Sequence, residues 1–468
     1  MGHDGLFDDL PEQAVPRARC GVSGRPRLRE PMRDQIELRA VDLDDLIGLD
    51  HPARLVWTYV ERLDLSALEH RIKAREGRPG HPPISSRLML ALWLYATSEG
   101  VGSARALAAL CVSHDAYRWL RGGVSVNYHT LGDFRLAHPA LLEGLLIENV
   151  AALAAAGVID LDGLAQDGIK VRAGAGAASF RRRKTLTRHR RQARRLVERL
   201  AAEVDDDPSA SNRRIKAARE RAARERLARV EQALAKLDKI EAERGRREQT
   251  NATRKVAEQS PSTPEAAEQS PSTPDDKPEK AEPRVSTTDP QARIIKMADG
   301  GFRPAYDMQI ASAVESQIVV AVDITANSSE RGLLRPMLEQ IERIYDTLPR
   351  TYLADGGFTK NDDTEWAADN GVLLHCPPIK NKHNTDPLAP RAGDKPGVAA
   401  WRRRMRSPAG KARYKRRPIA ECIHARFRQW NLHQLTVRGS LKARAVLLWF
   451  ALTNNLFQAH RLTQGAAA

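Results

Sequence analysis

Acidic residues run out toward the end of this 468-residue chain. After Asp394 the only carboxylate side chain is Glu421, although lysine and arginine stay frequent there. Cysteine is scarce too. Cys20, Cys111, Cys376 and Cys422 stand far apart with no C-x-x-C pair, so a zinc site or disulfide framework has little support. A reducing cytoplasm is the expected setting. No run approaches the roughly 18 apolar residues of a spanning helix, and no membrane partner is expected. The first residues show no basic-then-apolar signal pattern, and "MGHDGL" lacks the Ser or Thr that a myristoylation motif carries at position six.

Positive charge is what the chain has in excess. A formal net charge of +16 is an argument about partners, and it favours a polyanion, nucleic acid before an anionic membrane. The length suggests two or three domains, with enough chain to bury a substantial core.

Residues 1–35 read as a poorly ordered basic segment, and 36–156 as a helical domain expected to bind DNA. In "SSRLMLALWLYATSEG" a serine cap precedes apolar residues at helical spacing. "GSARALAALCVSHDAYRWLRGG" reads as two short helices capped by Ser103 and Ser113, and Asn127 is placed to cap a third. The pattern resembles a helix-turn-helix, an arrangement that small helical domains of every purpose share. A change to strand periodicity around 164–172 opens a mixed α/β region divided between 157–180 and 289–460. Residues 181–250 read as a charged helical hairpin, with Leu227, Val230, Leu234 and Leu237 spaced as a coiled-coil seam. "AEQSPSTP" occurs twice within 251–288, a Pro/Ser/Thr repeat expected to be a disordered linker. Within 289–460, two β-branched runs form a hairpin, and short strands then alternate with helices.

Three acids stand out by context. Asp167 and Asp355 lie in or after apolar strand residues with glycine directly behind, where an ionised group is costly unless paired or metal-bound. Asp-Gly is also a very common turn dipeptide, so both readings stand. Taken as helical, 419–434 place Ile419, Ile423, Phe427 and Trp430 on an apolar stripe. Arg417, Glu421, His424 and Arg428 then share the other side. Glu421 is thus either a carboxylate held for a ligand or a surface partner of Arg417 or Arg428, worth ~0–1 kcal/mol. Three carboxylates from distant parts of a chain can hold two Mg²⁺ ions about 3.5–4 Å apart for phosphoryl transfer.

"LAQDGIKVRAGAGAASF", "LADGGFTKNDD" and "ARYKRRPIAECIHARF…LTVRGSLKARAVLLWFALTNNL" resemble, in order, the three acidic motifs of DDE-type bacterial insertion-sequence transposases. The resemblance implies an RNase H-like catalytic domain, preceded by an all-α domain and interrupted by the charged insert. It implies Asp167, Asp355 and Glu421 as catalytic metal ligands, with two Mg²⁺ ions that Mn²⁺ can replace. Tyr414, Lys415, Arg416, Arg417, His424, Arg428 and Arg438 become the expected DNA contacts. Asp162 and Asp323 fall outside the motifs. The implied partners are double-stranded DNA, as element ends and target, and a second copy of the chain. The implied activity is strand cleavage and strand transfer at terminal inverted repeats. A non-catalytic DNA-binding repressor and a nuclease without strand joining are the alternatives. Two departures bear on this: Pro418, three residues before Glu421, either starts or kinks the helix, and the insert widens the Asp167–Asp355 spacing.

Overall fold

The alternation read in the sequence becomes a mixed sheet at the centre of a computed structural model that describes residues 40, 42–70, 72, 74, 82–205, 210–258, 282–379 and 386–467. Residues 1–35 and nearly all of the tandem repeat lie outside the described residues.

Strand β1 (Gly163–Arg172) pairs antiparallel with β5 (Phe302–Ala313) along its length, Asp167 opposite Ile310. The far edge of β5 is shared. Its first residues pair with β4 (Arg293–Lys296) and its later ones with β6 (Val319–Thr325). On the other side of β1 lie β7 (Thr351–Ala354) and then β8 (Leu373–His375), both parallel. An antiparallel β6-β5-β1 meander continued by parallel β7 and β8 is the order of an RNase H-like fold. A separate two-stranded pair, β2 (Phe180–Arg181) and β3 (Val285–Ser286), stands at the root of the insert.

Helices cover both faces of the sheet, because side chains alternate across it. Ile169 and Val171 of β1, with Met308 and Ile310 of β5, face a core shared with helices from the first part of the chain. These are α1 (Pro52–Glu61), α3 (Ser86–Ser98), α4 (Ala104–Ser113), α5 (Asp115–Arg121), α6 (Tyr128–Ala137) and α7 (Pro139–Ala155), with the short α2 (Ser66–Glu69) between the first two in the chain and outside this core. α3 has ten consecutive buried residues, Leu88–Thr97, so it runs through this core and not along its surface. The opposite face, with Leu164, Ala311 and Tyr352, meets α10 (Leu334–Tyr345) and α12 (Pro396–Arg406) in a second core. α11 (Asn361–Asp369) packs on α12. The insert is two long helices, α8 (Arg183–Asp205) and α9 (Ala210–Glu258), which pack on each other through Leu186, Leu234 and Leu237. No single helix among the described residues is long and apolar enough to cross a membrane.

The last three helices are α13 (Pro408–Tyr414), α14 (Pro418–Gln429) and α15 (Ser440–Ala467). Pro418 occupies the first helical position of α14, where its missing N–H costs nothing, so it starts a new helix. Two expectations change. α4 includes Ser113, and the His114 ring, not that serine, caps α5 by accepting the Ala116 amide at 3.3 Å. The helix expected over 419–434 stops at Gln429, because Asn431 is left-handed at φ 67°. Its side-chain amide then donates to the Gly100 carbonyl, 3.2 Å away.

Candidate active site

The parallel register of β1 and β7 brings the first two acids together. Gln166 lies opposite Ala354, so Asp167 and Asp355 are each the next residue along adjacent strands. Asp167 is buried, 8 % exposed, on the sheet face that α14 covers. Asp355 directly follows β7, and its carboxylate accepts the Gly356 amide as the chain turns away. The glycines here allow close approach. A Cβ on Gly356 would lie 3.1 Å from the Pro377 carbonyl, and one on Gly357 would lie 2.9 Å from Glu330 Oε2.

Glu421 joins from α14. It lies in the first turn, where the positive end of the helix favours a carboxylate. Arg417 links it to the others. Its Nη1 is 2.7 Å from Glu421 Oε1 and its Nη2 is 2.8 Å from Asp167 Oδ2. Burial works against the guanidinium charge, and Asp167 and Asp355 more than offset that, so Arg417 is held as a cation. His424 Nδ1 stands 3.5 Å from Asp167 Oδ2. Burial lowers its pKa against the pull of Asp167, so the ring is neutral at pH 7.

The expected DNA contacts divide. Lys415, Arg428 and Arg438 are exposed, and Arg416 pairs with Glu315. Tyr414 and Arg417 are half-buried. His424, expected on the exposed cationic side, is 8 % exposed and faces Asp167, because α14 lies against β1 and not out in solvent. Asp323 is exposed on β6 and Asp162 precedes β1, away from the three acids in register.

Two further carboxylates lie beside the site, and sequence reasoning missed both. A Cβ on Gly168 would fall 2.6 Å from Asp307 Oδ1 and 2.9 Å from Glu330 Oε1, so glycine at this position leaves them room. Among the described residues neither Asp307 oxygen has a partner of good hydrogen-bond geometry, although the Gln309 amide lies close enough to favour its charged form. Burial pushes Asp307 up to about 6 against the pull of Lys170. Burial, then repulsion from Asp307, pushes Glu330 up to about 7. For Asp307 the available signal was an acid placed opposite Lys170 inside a strand; for Glu330, in a polar turn, there was none.

A stability effect follows from Glu330. Between pH 4.5 and about 7 the folded chain keeps a proton that the unfolded chain has released, so stability falls as pH rises through that window. Glu330→Gln is expected to stabilise the protein by about 1–3 kcal/mol at pH 8 and hardly at all at pH 4.5. Urea unfolding in EDTA at both pH values measures this, and an equal effect at both would contradict it.

The donor set suits a hard divalent cation: carboxylate oxygens with no Cys or His cluster among the described residues, and buried Asp307 oxygens that lack a well-aligned donor there. Among the described residues no three acidic, His or Cys side chains converge on one point, and Arg417 stands between Asp167 and Glu421.

Comparison with known families fits this architecture. Residues 273–456 match the model of a transposase DDE domain, and residues 41–136 match that of a transposase domain. The chain is thus built from two transposase domains, consistent with an insertion-sequence DDE transposase. Asp355 and Glu421 fall inside the DDE match, whereas Asp167 lies before it and rests on strand register and on Arg417. No curated protein and no solved structure gives a match.

Proposed function

We propose that this chain binds the terminal inverted repeats of an insertion sequence, cleaves the DNA there and joins the freed 3′-hydroxyl to a target. Asp167, Asp355 and Glu421 are the reacting centre. The observation that carries this reading is the adjacency of Asp167 and Asp355 on neighbouring parallel strands, with half-buried Arg417 bridging Asp167 to Glu421 of α14. Membership of the family implies DNA as the partner, and cutting two ends in one complex calls for two copies of the chain.

Asp167, Asp355 and Glu421 would hold the divalent cations, which activate an attacking oxygen and stabilise the leaving oxygen of a phosphodiester when bound. The chain's own groups do the rest. Arg417 pairs with Asp167 and orients its carboxylate while the site is free of DNA. Neutral His424 closes the rear of Asp167 against water and adds no charge. Exposed Lys415, Arg428 and Arg438 hold phosphates near the reacting one.

The test is a joining assay. A labelled duplex carrying the element's end is incubated with supercoiled plasmid and Mg²⁺, and label transferred into the plasmid is measured. Transfer is the expected result. Cleavage without transfer supports a nuclease instead, and binding with neither supports a DNA-binding repressor.

A further inference from the structure

A cavity of about 700 Å³ lies where the end of β1, the 430–438 segment, α6 and α15 meet. Its size falls within the roughly 300–1,000 Å³ of small-molecule sites. Arg135, Arg172 and Arg438 line it together with His433, and no aspartate or glutamate does. Trp430 and Phe450 add an aromatic wall, with ring centroids 6.5 Å apart.

Arg135 is the informative residue. It is 6 % exposed, and among the described residues it has no carboxylate partner. One end of its guanidinium donates to the Gly102 carbonyl, and the group lies 4.6 Å over the Trp93 ring, but Nε makes no hydrogen bond. A buried cation without a counter-charge is costly, and burial alone pushes this guanidinium down to about 10. Such a group is stable in a wall that an anion completes.

The rest of the wall is held in place by the backbone. Arg172 donates its amide to the His433 carbonyl at 3.1 Å and accepts the Leu435 amide at 2.8 Å. Gly174 follows, where a Cβ would lie 2.7 Å from the Val437 carbonyl, so the two segments close only over glycine. A second cavity, of about 820 Å³, shares Arg172, Leu432 and His433 with the first and reaches Gly168, the neighbour of Asp167. Lys170, Lys296, Arg303 and Arg428 line the second against a single acid, Asp299, so cations predominate along both cavities.

We infer that this cavity takes an unpaired nucleotide of a DNA strand, with phosphate against the three arginines and base against Trp430 and Phe450. Three arginines with no acid select an anion, the aromatic wall selects a flat apolar ring beside it, and the volume excludes a duplex. Cationic grooves with aromatic platforms bind single strands in this way. The inference rests on the DNA-processing reading above and adds where one strand goes as it leaves the reacting centre.

The test compares a blunt 20-base-pair duplex with the same duplex carrying a three-nucleotide single-stranded extension. Binding is measured by fluorescence anisotropy on the full chain. In a parallel experiment 5-iododeoxyuridine in the extension is photocrosslinked to the protein. Wild type is expected to bind the extended duplex about tenfold more tightly, and the crosslink is expected at Trp430. Arg172→Gln combined with Arg438→Gln should abolish the preference. Both side chains are exposed, so this variant keeps its fold even where Arg135→Met does not. Equal affinity for the two duplexes, or a crosslink away from the 430–438 segment, overturns the inference and leaves the transposase reading standing. Binding of thymidine 5′-monophosphate with no preference for the extension overturns it in favour of a free-nucleotide site. Failure to bind either duplex overturns both readings.

Discussion

Asp355→Asn is expected to lower the rate of DNA end cleavage by a factor on the order of 10²–10³, the scale on which removal of one stabilising group from a reacting centre is felt. DNA binding should be retained. This is the cleanest of the three acidic substitutions for a structural reason. The Asp355 carboxylate accepts the Gly356 amide, which an asparagine oxygen accepts as well. Its main-chain carbonyl, which accepts from Cys376 Sγ at 2.8 Å, is untouched. Asp167→Asn, by contrast, also breaks the pair with Arg417 and mixes a stability effect with a chemical one. Single-turnover cleavage in Mg²⁺, beside a binding titration, measures the two separately. Asp162→Asn and Asp323→Asn serve as controls that should cut at the wild-type rate. A loss in both controls equal to that of Asp355→Asn would remove the special status of the residue after β7.

Arg417→Gln has the second large expected effect, this time on stability. The Arg417 and Asp167 side chains are 13 % and 12 % exposed, so both charges are largely removed from water. Taking away the guanidinium leaves a largely buried carboxylate facing the Gly168 amide and a neutral imidazole, neither of which carries the missing charge. Breaking a buried pair from one side costs about 3–5 kcal/mol. The other half of the bridge, to Glu421, adds little, because that side chain is 53 % exposed and such pairs contribute about 0–1 kcal/mol. The loss should be largest in EDTA. A divalent cation at Asp167 replaces the missing positive charge, so millimolar Mg²⁺ should stabilise Arg417→Gln more than wild type, where the guanidinium competes for the same oxygen. Denaturant unfolding with and without Mg²⁺ measures both terms. A cost below about 1 kcal/mol in EDTA would mean that Arg417 does not hold Asp167 as described.

Local pattern carried much of this architecture. The alternation in "IKV", the paired runs "PAYDMQIASAVE" and "QIVVAVDITAN", and the apolar stretch before Asp355 correspond to β1, β5, β6 and β7. The same runs place Asp167 and Asp355 next to each other once β1 and β7 pair. Other features depend on contacts between residues far apart in the chain. The helical spacing of Arg417, Glu421, His424 and Arg428 reads as one exposed side. Packing of α14 on β1 divides it, burying His424 against Asp167 and leaving Arg428 in solvent. The bridge from Arg417 to Asp167 spans the insert and the whole sheet, and no local pattern encodes it. Glu330 sits in a polar turn that looks solvated, and only the fold brings it beside Gly168 and Gly357. Asn431 ended a helix that its neighbours' apolar spacing would have continued, because a left-handed residue is set by the contact with Gly100 and not by hydrophobic period.

The measurement that bears most directly on the central claim is strand cleavage of a labelled element end by wild type and Glu421→Gln, with Mg²⁺ or Mn²⁺ and with binding followed in parallel. The expected result is metal-dependent cutting by wild type and none by the variant, with both proteins binding the DNA equally. Glu421 would then be the third acid of the reacting centre. Equal cutting by the two proteins would contradict that and reduce Glu421 to a surface partner of Arg417.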